Sequence, residues 1–146
     1  MAVVAKNRRA RYDYEIVDTV EAGLMLSGQE VKSCRSGNVN LSGAYVSFLN
    51  GKPIIKSMKI SPYTYASNIG DYDPGRDRSL LLKKSEIFKL LSATQEKGVT
   101  VIPLEVKAGK HIKLVLGVGK GRKRLDKRQR IRERDVERKM KKGEEY

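Results

Sequence analysis

The chain has 146 residues, 39% of them hydrophobic and 33% charged, so it has room for one domain with a modest core. Its 31 Lys and Arg against 17 Asp and Glu give a net charge of +14, which is typical of proteins with a polyanionic partner. No apolar run approaches the roughly 20 residues that span a bilayer, and a single cysteine, Cys34, excludes an intrachain disulfide and a thiolate metal site. We therefore expect a cytoplasmic protein that binds nucleic acid, with no membrane partner.

The N-terminal part is predicted to form two strands followed by a short helix. Alternating apolar positions indicate a strand over residues 12–20, and residues 23–26 form a short apolar run that suits a buried strand. Ser27 with Glu30 three residues later is a capping box, in which the hydroxyl and the carboxylate satisfy the first amides of a helix. Gly37 is expected to end this helix.

The middle of the chain predicts a hairpin and a loop. Two apolar runs, 45–49 and 54–60, are joined by Asn50-Gly51, a strong hairpin signal. Residues 61–79 contain two prolines and two glycines and are expected to form a polar loop.

The following part predicts a helix over residues 83–97 and strands over 99–106 and 112–118. About six short strands with two or three short helices make the predicted fold mainly β. We expect a small antiparallel barrel of the OB-like type, because closure hides strand edges in a domain of this size. This domain is predicted to occupy residues 1–119.

The last 27 residues are predicted to form a basic C-terminal tail. Residues 120–146 hold 13 basic and 6 acidic residues, so they carry half of the net charge. Their few apolar side chains cannot build a core, while pairs such as Asp126 with Arg130 have the spacing that supports a helix. We expect this tail to be disordered alone and helical when it is bound to a polyanion.

Few side chains suit catalysis. His111 is the single histidine, and no Ser-His-acid triad or histidine metal site can be assembled around it. Asp71 begins a segment that resembles a calcium loop, but Gly75 and Leu82 stand where an EF-hand needs ligands. The glycine-rich segment 117–121 lacks Walker spacing, and we interpret it as a strand end leading into a hinge, with phosphate contact as the alternative. We expect no enzyme activity, no metal and no cofactor.

A basic and aromatic segment near the N-terminus is the clearest positive signal. It places guanidinium groups beside two tyrosines, a combination that can clamp phosphates and stack on unpaired bases. The segment contains Asn7, Arg8, Arg9, Arg11, Tyr12 and Tyr14. A charged arm whose two tyrosines face the core is the alternative, and the pattern alone leaves both open.

Several segments together resemble the SmpB family of SsrA-binding proteins. The strings NRRARYDYEI, GQEVKSCRSGNVNLSGAYV, DPGRDRSLLLKKSEI, GVGKGRKR and LDKRQRIRERD follow in the order and spacing of that family, over about residues 7–140. The resemblance implies an OB-fold barrel that binds the tRNA-like domain of tmRNA and delivers it to the A site of a stalled ribosome. It also implies a basic tail that lies in the vacant mRNA channel, while the ribosome supplies the chemistry.

By this resemblance Asn7, Glu21 and Leu81 fall where family members need a residue for tmRNA binding, and Glu30 lies in the same RNA-facing region. The predicted tmRNA-binding residues are Asn7, Arg8, Arg9, Arg11, Tyr12, Tyr14, Glu21, Glu30, Lys32, Leu81 and Lys83. A carboxylate such as that of Glu21 is unusual at an RNA-binding site, because it repels phosphate. It could accept a hydrogen bond from a base amino group or position a cationic side chain.

The tail carries the predicted contacts with the ribosome and the mRNA channel. These residues are Lys120, Arg122, Lys123, Arg124, Leu125, Asp126, Lys127, Arg128 and Arg132. Asp126-Lys127-Arg128 matches the DKR motif of the family. The residue before this motif is often a ring that can stack on bases, whereas Leu125 offers apolar contact.

Two other classes of protein share the composition. A ribosomal protein with an OB-like core and a basic tail would have the same charge pattern, and an RNA-modifying enzyme would need a catalytic cluster or a cofactor loop. The assembled motifs favour the SmpB resemblance, with tmRNA and the ribosome as partners of a monomer.

Overall fold

The computed structural model describes residues 2–63 and 72–122 of the chain. These residues form three short helices and nine strands, which confirms the prediction of a mainly β fold with short helices. The helices are α1 (Ala10–Asp13), α2 (Gly28–Arg35) and α3 (Lys84–Ala93). The strands are β1 (Ala2–Lys6), β2 (Tyr14–Leu24), β3 (Val39–Asn40), β4 (Tyr45–Leu49), β5 (Lys52–Lys56), β6 (Lys59–Ile60), β7 (Arg78–Leu81), β8 (Val99–Ala108) and β9 (Ile112–Gly121).

Seven of the strands form one antiparallel sheet in the order β1-β8-β9-β2-β7-β5-β4, and β3 pairs with β6 in a second sheet. The large sheet curls back on itself, since β4 at one edge contacts β8 near the other. Alternate residues of β9 point into the enclosed core, where Leu114, Leu116 and Val118 are buried. No helix in the described ranges has the length and apolarity needed to cross a membrane.

Local sequence signals explain several elements. The Ser27 hydroxyl accepts a hydrogen bond from the Glu30 amide at 3.2 Å, and the Glu30 carboxylate accepts one from the Ser27 amide at 3.0 Å. The predicted capping box of α2 is therefore confirmed. Asn50 and Gly51 have φ values of 52° and 77°, the left-handed pair that a tight hairpin between β4 and β5 requires.

One strand was not predicted, and two predicted boundaries were wrong. The N-terminal segment before Asn7 is a strand, β1, which pairs with β8. The apolar run at 23–26 is not a separate strand, because Gly23 and Leu24 continue β2. The loop predicted over residues 61–79 extends too far, since β7 begins at Arg78. These strands owe their extent to pairing with neighbours that are remote in sequence, which local patterns do not record.

A small second core lies on the other side of the sheet and involves the glycines of β9. Ala10, Ile102 and Leu104 are buried there, with Tyr14 packed against them. A Cβ at Gly117 would lie 2.8 Å from a Leu104 methyl, and one at Gly119 would lie 2.9 Å from the Tyr14 Cβ. Both glycines are buried within β9, which ends at Gly121, so the segment is a strand end as predicted, while the hinge expected after it lies outside the described residues. The cover over Gly117 and Gly119 leaves no space for a phosphate at these two positions.

We expect Gly119→Ala to lower the free energy of unfolding by about 1–3 kcal/mol, because the new methyl must displace Tyr14 in a packed layer. Gly121→Ala is the matched control in the same strand, since the nearest heavy atom to its added Cβ lies 3.9 Å away. Urea unfolding of the two variants measures the difference. Equal stability of Gly119→Ala and Gly121→Ala would contradict this account.

Candidate RNA-binding surface

The exposed surface of the β2–β9–β8 part of the sheet carries charged side chains from all three strands. Because side chains alternate across a strand, Lys113 and Val115 point away from the core, between the buried Ile112, Leu114 and Leu116. Lys107 of β8 lies directly opposite Lys113, and Glu21 of β2 lies opposite Val115. Glu105 of β8 also lies opposite Val115, and we call the surface formed by Thr19, Glu21, Glu105, Lys107, Lys113 and Val115 the outer face.

A basic cleft opens at one end of the outer face. It has a volume of about 540 Å³, and several of its lining residues are cationic. Its lining includes Lys6, Asn7, Arg8, Arg11, Thr19 and Lys107. This cleft, named the arm cleft, therefore joins three predicted residues, Asn7, Arg8 and Arg11, to two lysines that were not predicted.

Asn7 holds the arm in place. Its side-chain amide donates to the Pro103 carbonyl at 2.9 Å, and its backbone amide donates to the Leu104 carbonyl at 2.7 Å. These carbonyls lie at a β-bulge of β8, where the pairing with β9 shifts between Pro103 and Glu105. The side chain of Asn7 thus fixes the turn that leads from β1 into α1, and so places Arg8 and Arg11 at the arm cleft.

The two tyrosines of the arm have different surroundings. The Arg9 guanidinium lies 4.9 Å from the centroid of the Tyr12 ring, a cation–π contact, and 3.5 Å from the Asp13 carboxylate. Tyr14 packs against the small second core and covers Gly119. Tyr14 therefore takes the core-facing role that was left open, while Tyr12 and Arg9 form a stacked pair on α1.

A second cleft lies at the other end of the outer face. It has a volume of about 440 Å³, with an apolar floor and a basic rim, and its lining includes Leu24, Val31, Leu81, Lys110, His111 and Lys113. Leu81 is 56% exposed although it is apolar. We call this second cleft the Leu81 cleft. Leu81 pairs with Gly23, which stands two residues from Glu21 on the same face of β2, so the two predicted residues lie near each other on the outer face although Glu21 does not line the cleft.

Glu30 is buried in an ionic network and does not reach the surface. Its carboxylate is 1% exposed, and the fully buried Arg78 donates to it from Nε at 2.7 Å. Arg76 also donates to it, and the Tyr72 hydroxyl lies 3.2 Å away. Burial opposes ionisation, but hydrogen bonds from Arg76, the Ser27 amide and Arg78 outweigh it and lower the pKa of Glu30 to about 2.

The network makes Glu30 a residue that holds α2 against β7 and the preceding loop. Any influence of its carboxylate on RNA must pass through Arg76, whose side chain is 39% exposed. A direct contact between Glu30 and RNA stays a prediction that this burial does not favour.

The other predicted residues are spread around these clefts. Lys32 on α2 lies 5.5 Å from the Tyr63 ring, and Lys83 directly precedes α3. Lys120 forms an ion pair with Glu96 at 3.2 Å. Arg122 donates from its side chain to the Arg11 carbonyl at 3.3 Å, so the last described residue lies beside the arm. The remaining tail residues, Lys123 to Arg128 and Arg132, lie outside the described part.

Sequence reasoning missed Lys6, Lys107, Lys110 and Lys113. Alternation along β8 and β9 could have placed Lys107 and Lys113 on the outer side, since each stands beside buried neighbours. It could not have shown that the two lysines lie opposite one another, because pairing register depends on the turn between the strands.

Groups suited to metal or thiol chemistry are lacking in the described ranges. No three His, Cys, Asp or Glu side chains there lie close enough to hold a metal ion. Burial raises the pKa of the Cys34 thiol to about 11, so this cysteine is protonated and a poor nucleophile.

Comparison with known proteins identifies the family to which this chain is similar. A family model described as SmpB protein matches residues 4–145. A SsrA-binding protein of Acetivibrio thermocellus is 52% identical over 136 residues, which covers 92% of this chain and 87% of the relative. One from Prochlorococcus marinus is 48% identical over 139 residues, covering 94% and 84%.

A solved structure described as "tmRNA-SmpB: a journey to the center of the bacterial ribosome" contains a similar chain. That chain is 40% identical with a TM-score of 0.70, and the match covers 90% of this chain and 96% of the other. The family model and the relatives each span most of the sequence. The chain therefore belongs to the SmpB family.

Proposed function

We propose that this protein binds the tRNA-like domain of tmRNA through the outer face and its two clefts. The observation that carries the proposal is the placement of Asn7 at the arm cleft, of Glu21 on β2 and of Leu81 on the adjoining β7, on one basic side of the sheet. Membership of the SmpB family supports it, since relatives are named SsrA-binding proteins and the similar solved chain belongs to a tmRNA-SmpB structure. Phosphate contacts supply most of the affinity, and unpaired bases fit the apolar Leu81 cleft.

The proposal extends to the ribosome. The protein acts in the cytoplasm as a monomer and delivers tmRNA to the A site of a stalled ribosome for trans-translation. Residues 1–119 bind tmRNA, and the basic residues 120–146 detect the empty mRNA channel, becoming helical there. The protein contributes binding and positioning, while catalysis belongs to the ribosome.

We expect Asn7→Ala and Glu21→Ala each to weaken binding to the tRNA-like domain by about tenfold, because the first releases the turn that places Arg8 and Arg11 and the second removes the carboxylate beside Lys107. Gel-shift titration measures the affinity, and thermal unfolding checks that the domain remains folded. Glu15→Ala removes the same charge from the far end of β2, opposite Lys120, and serves as the control. Unchanged affinity in both test variants would remove this site assignment.

The RNA that copurifies with this protein from cells distinguishes the proposed function from a ribosomal protein and from an RNA-modifying enzyme. A single tmRNA species supports it, stoichiometric ribosomal RNA without tmRNA would indicate a ribosomal protein, and transiently bound substrate RNAs would indicate an RNA-modifying enzyme.

A further inference from the structure

Glu21 faces a lysine on the outer face. Its carboxylate lies 3.9 Å from the ammonium group of Lys107, and both side chains are partly exposed, at 43% and 29%. Lys107 stands directly opposite Lys113 across the β8–β9 ladder. Glu21 is the residue of β2 opposite Val115, one position along the outer face from Lys113. One carboxylate and two ammonium groups thus occupy adjacent positions on three neighbouring strands.

The charges around Glu21, Lys107 and Lys113 do not balance without a ligand. Like charges directly opposite each other on neighbouring strands repel, because their Cβ atoms are only about 4.5–5.5 Å apart. Glu105 of β8, opposite Val115, adds a second carboxylate, and its cross-strand partner Lys6 adds a third ammonium group, so the two carboxylates and three ammonium groups leave a single positive charge. A phosphodiester group carries one negative charge and accepts hydrogen bonds from ammonium groups, so it would complete the balance.

The position of Glu21, Lys107 and Lys113 adds to this argument. Lys107 lines the arm cleft, and Lys113 lines the Leu81 cleft. The two lysines are the direct cross-strand link between the clefts, so an RNA strand that occupies both must pass over them. The carboxylate of Glu21 holds Lys107 along the surface of the sheet and reduces the rotamer freedom that the long side chain would lose on binding.

We propose that Lys107 and Lys113 form a phosphodiester-binding site between the two clefts, and that Glu21 is a positioning residue that acts through Lys107. The proposal rests on the proposed function, because it describes how the same face binds the RNA backbone. It also gives a physical reason for a carboxylate on an RNA-binding surface: the group touches the lysine and not the RNA.

The test measures affinity of the full chain for the tRNA-like domain of tmRNA at several salt concentrations. Lys107→Gln and Lys113→Gln are expected to weaken binding by about tenfold each and to make the dependence of log K on log salt shallower by about 0.7–0.9. Lys107→Arg, which keeps the charge, is expected to retain most of the affinity. Lys52→Gln is the control, since it removes an exposed charge from β5 at a distance from both clefts.

A double-mutant cycle tests the role of Glu21. Glu21→Gln is expected to weaken binding in the natural chain and to have no further effect when Lys107 is already Gln. Additive losses would show that Glu21 contacts the RNA directly, and an affinity gain in Glu21→Gln would show that it only repels phosphate. Either result overturns its positioning role.

Comparing the tRNA-like domain with an unrelated tRNA separates a wrong phosphodiester site from a wrong RNA partner. If the natural chain prefers the tRNA-like domain over an unrelated tRNA, but Lys107→Gln and Lys113→Gln behave like Lys52→Gln, only the phosphodiester site is refuted. If the natural chain shows no such preference, the proposed function falls and the inference falls with it. Thermal unfolding of each variant confirms that affinities compare folded proteins.

Discussion

Replacing Glu30 by Ala is expected to lower the free energy of unfolding by about 3–5 kcal/mol, because the change leaves the guanidinium of Arg78 buried without its carboxylate partner. Arg78 has a side chain of 0% exposure, and its Nη1 also donates to the Met58 carbonyl at 2.6 Å, so it cannot turn toward water without breaking the packing of β7. Urea unfolding at neutral pH measures the loss.

Glu86→Ala is the matched control for this variant. Glu86 occupies the same capping position in α3, where its carboxylate accepts from the Lys83 amide at 2.9 Å, but it has no buried arginine beside it. Removing this carboxylate is expected to lower the free energy of unfolding by only about 1 kcal/mol, which is typical of a lost helix cap. Similar losses for the two variants would mean that the buried network contributes little beyond capping α2.

The same network determines how stability depends on pH. The pKa of Glu30 is about 2 in the folded protein and 4.5 in its ordinary state, so the unfolded chain binds more protons between these values. The contribution of Glu30 is therefore complete above about pH 4.5 and decreases as the pH falls toward 2. We expect the stability difference between the natural chain and Glu30→Gln to shrink over this range.

Removing residues 123–146 is expected to abolish the tagging of stalled translation products while binding to the tRNA-like domain survives. The cut preserves β9, which ends at Gly121, and Arg122, which donates to the Arg11 carbonyl. Because the removed residues have too few apolar side chains for a core, the free energy of unfolding should change by less than about 0.5 kcal/mol. A reconstituted rescue reaction, gel shifts and urea unfolding measure the three quantities.

A proline in the tail separates charge from conformation. Ile131→Pro keeps the net charge and costs about 3 kcal/mol within any helix formed there, so it should cripple peptidyl transfer to tmRNA without changing tmRNA affinity. Ile131→Ala removes the same side chain, retains helix propensity and is the control. Full activity of Ile131→Pro would show that the tail acts as an unstructured cation and would refute the proposed helix.

The sequence by itself determined the elements whose signals are local. The capping box of Ser27 and Glu30 predicts the start of α2, because its two hydrogen bonds span only three residues. Asn50-Gly51 predicts the hairpin of β4 and β5, since only such residues readily adopt two successive positive φ angles. The basic residues of the arm are likewise visible in the sequence, because charge and residue type do not depend on the fold.

Tertiary structure alone decided which groups meet. Glu30 and Arg78 are 48 residues apart in the chain, and only the packing of α2 against β7 turns a predicted surface acid into a buried ion pair. Gly119 is a β-strand residue beneath Tyr14 because of the register of β2 with β9, not because of any local pattern. Lys107 and Lys113 become a pair through the register of β8 with β9. Contacts of this kind depend on how distant segments align, and a single sequence does not record that alignment.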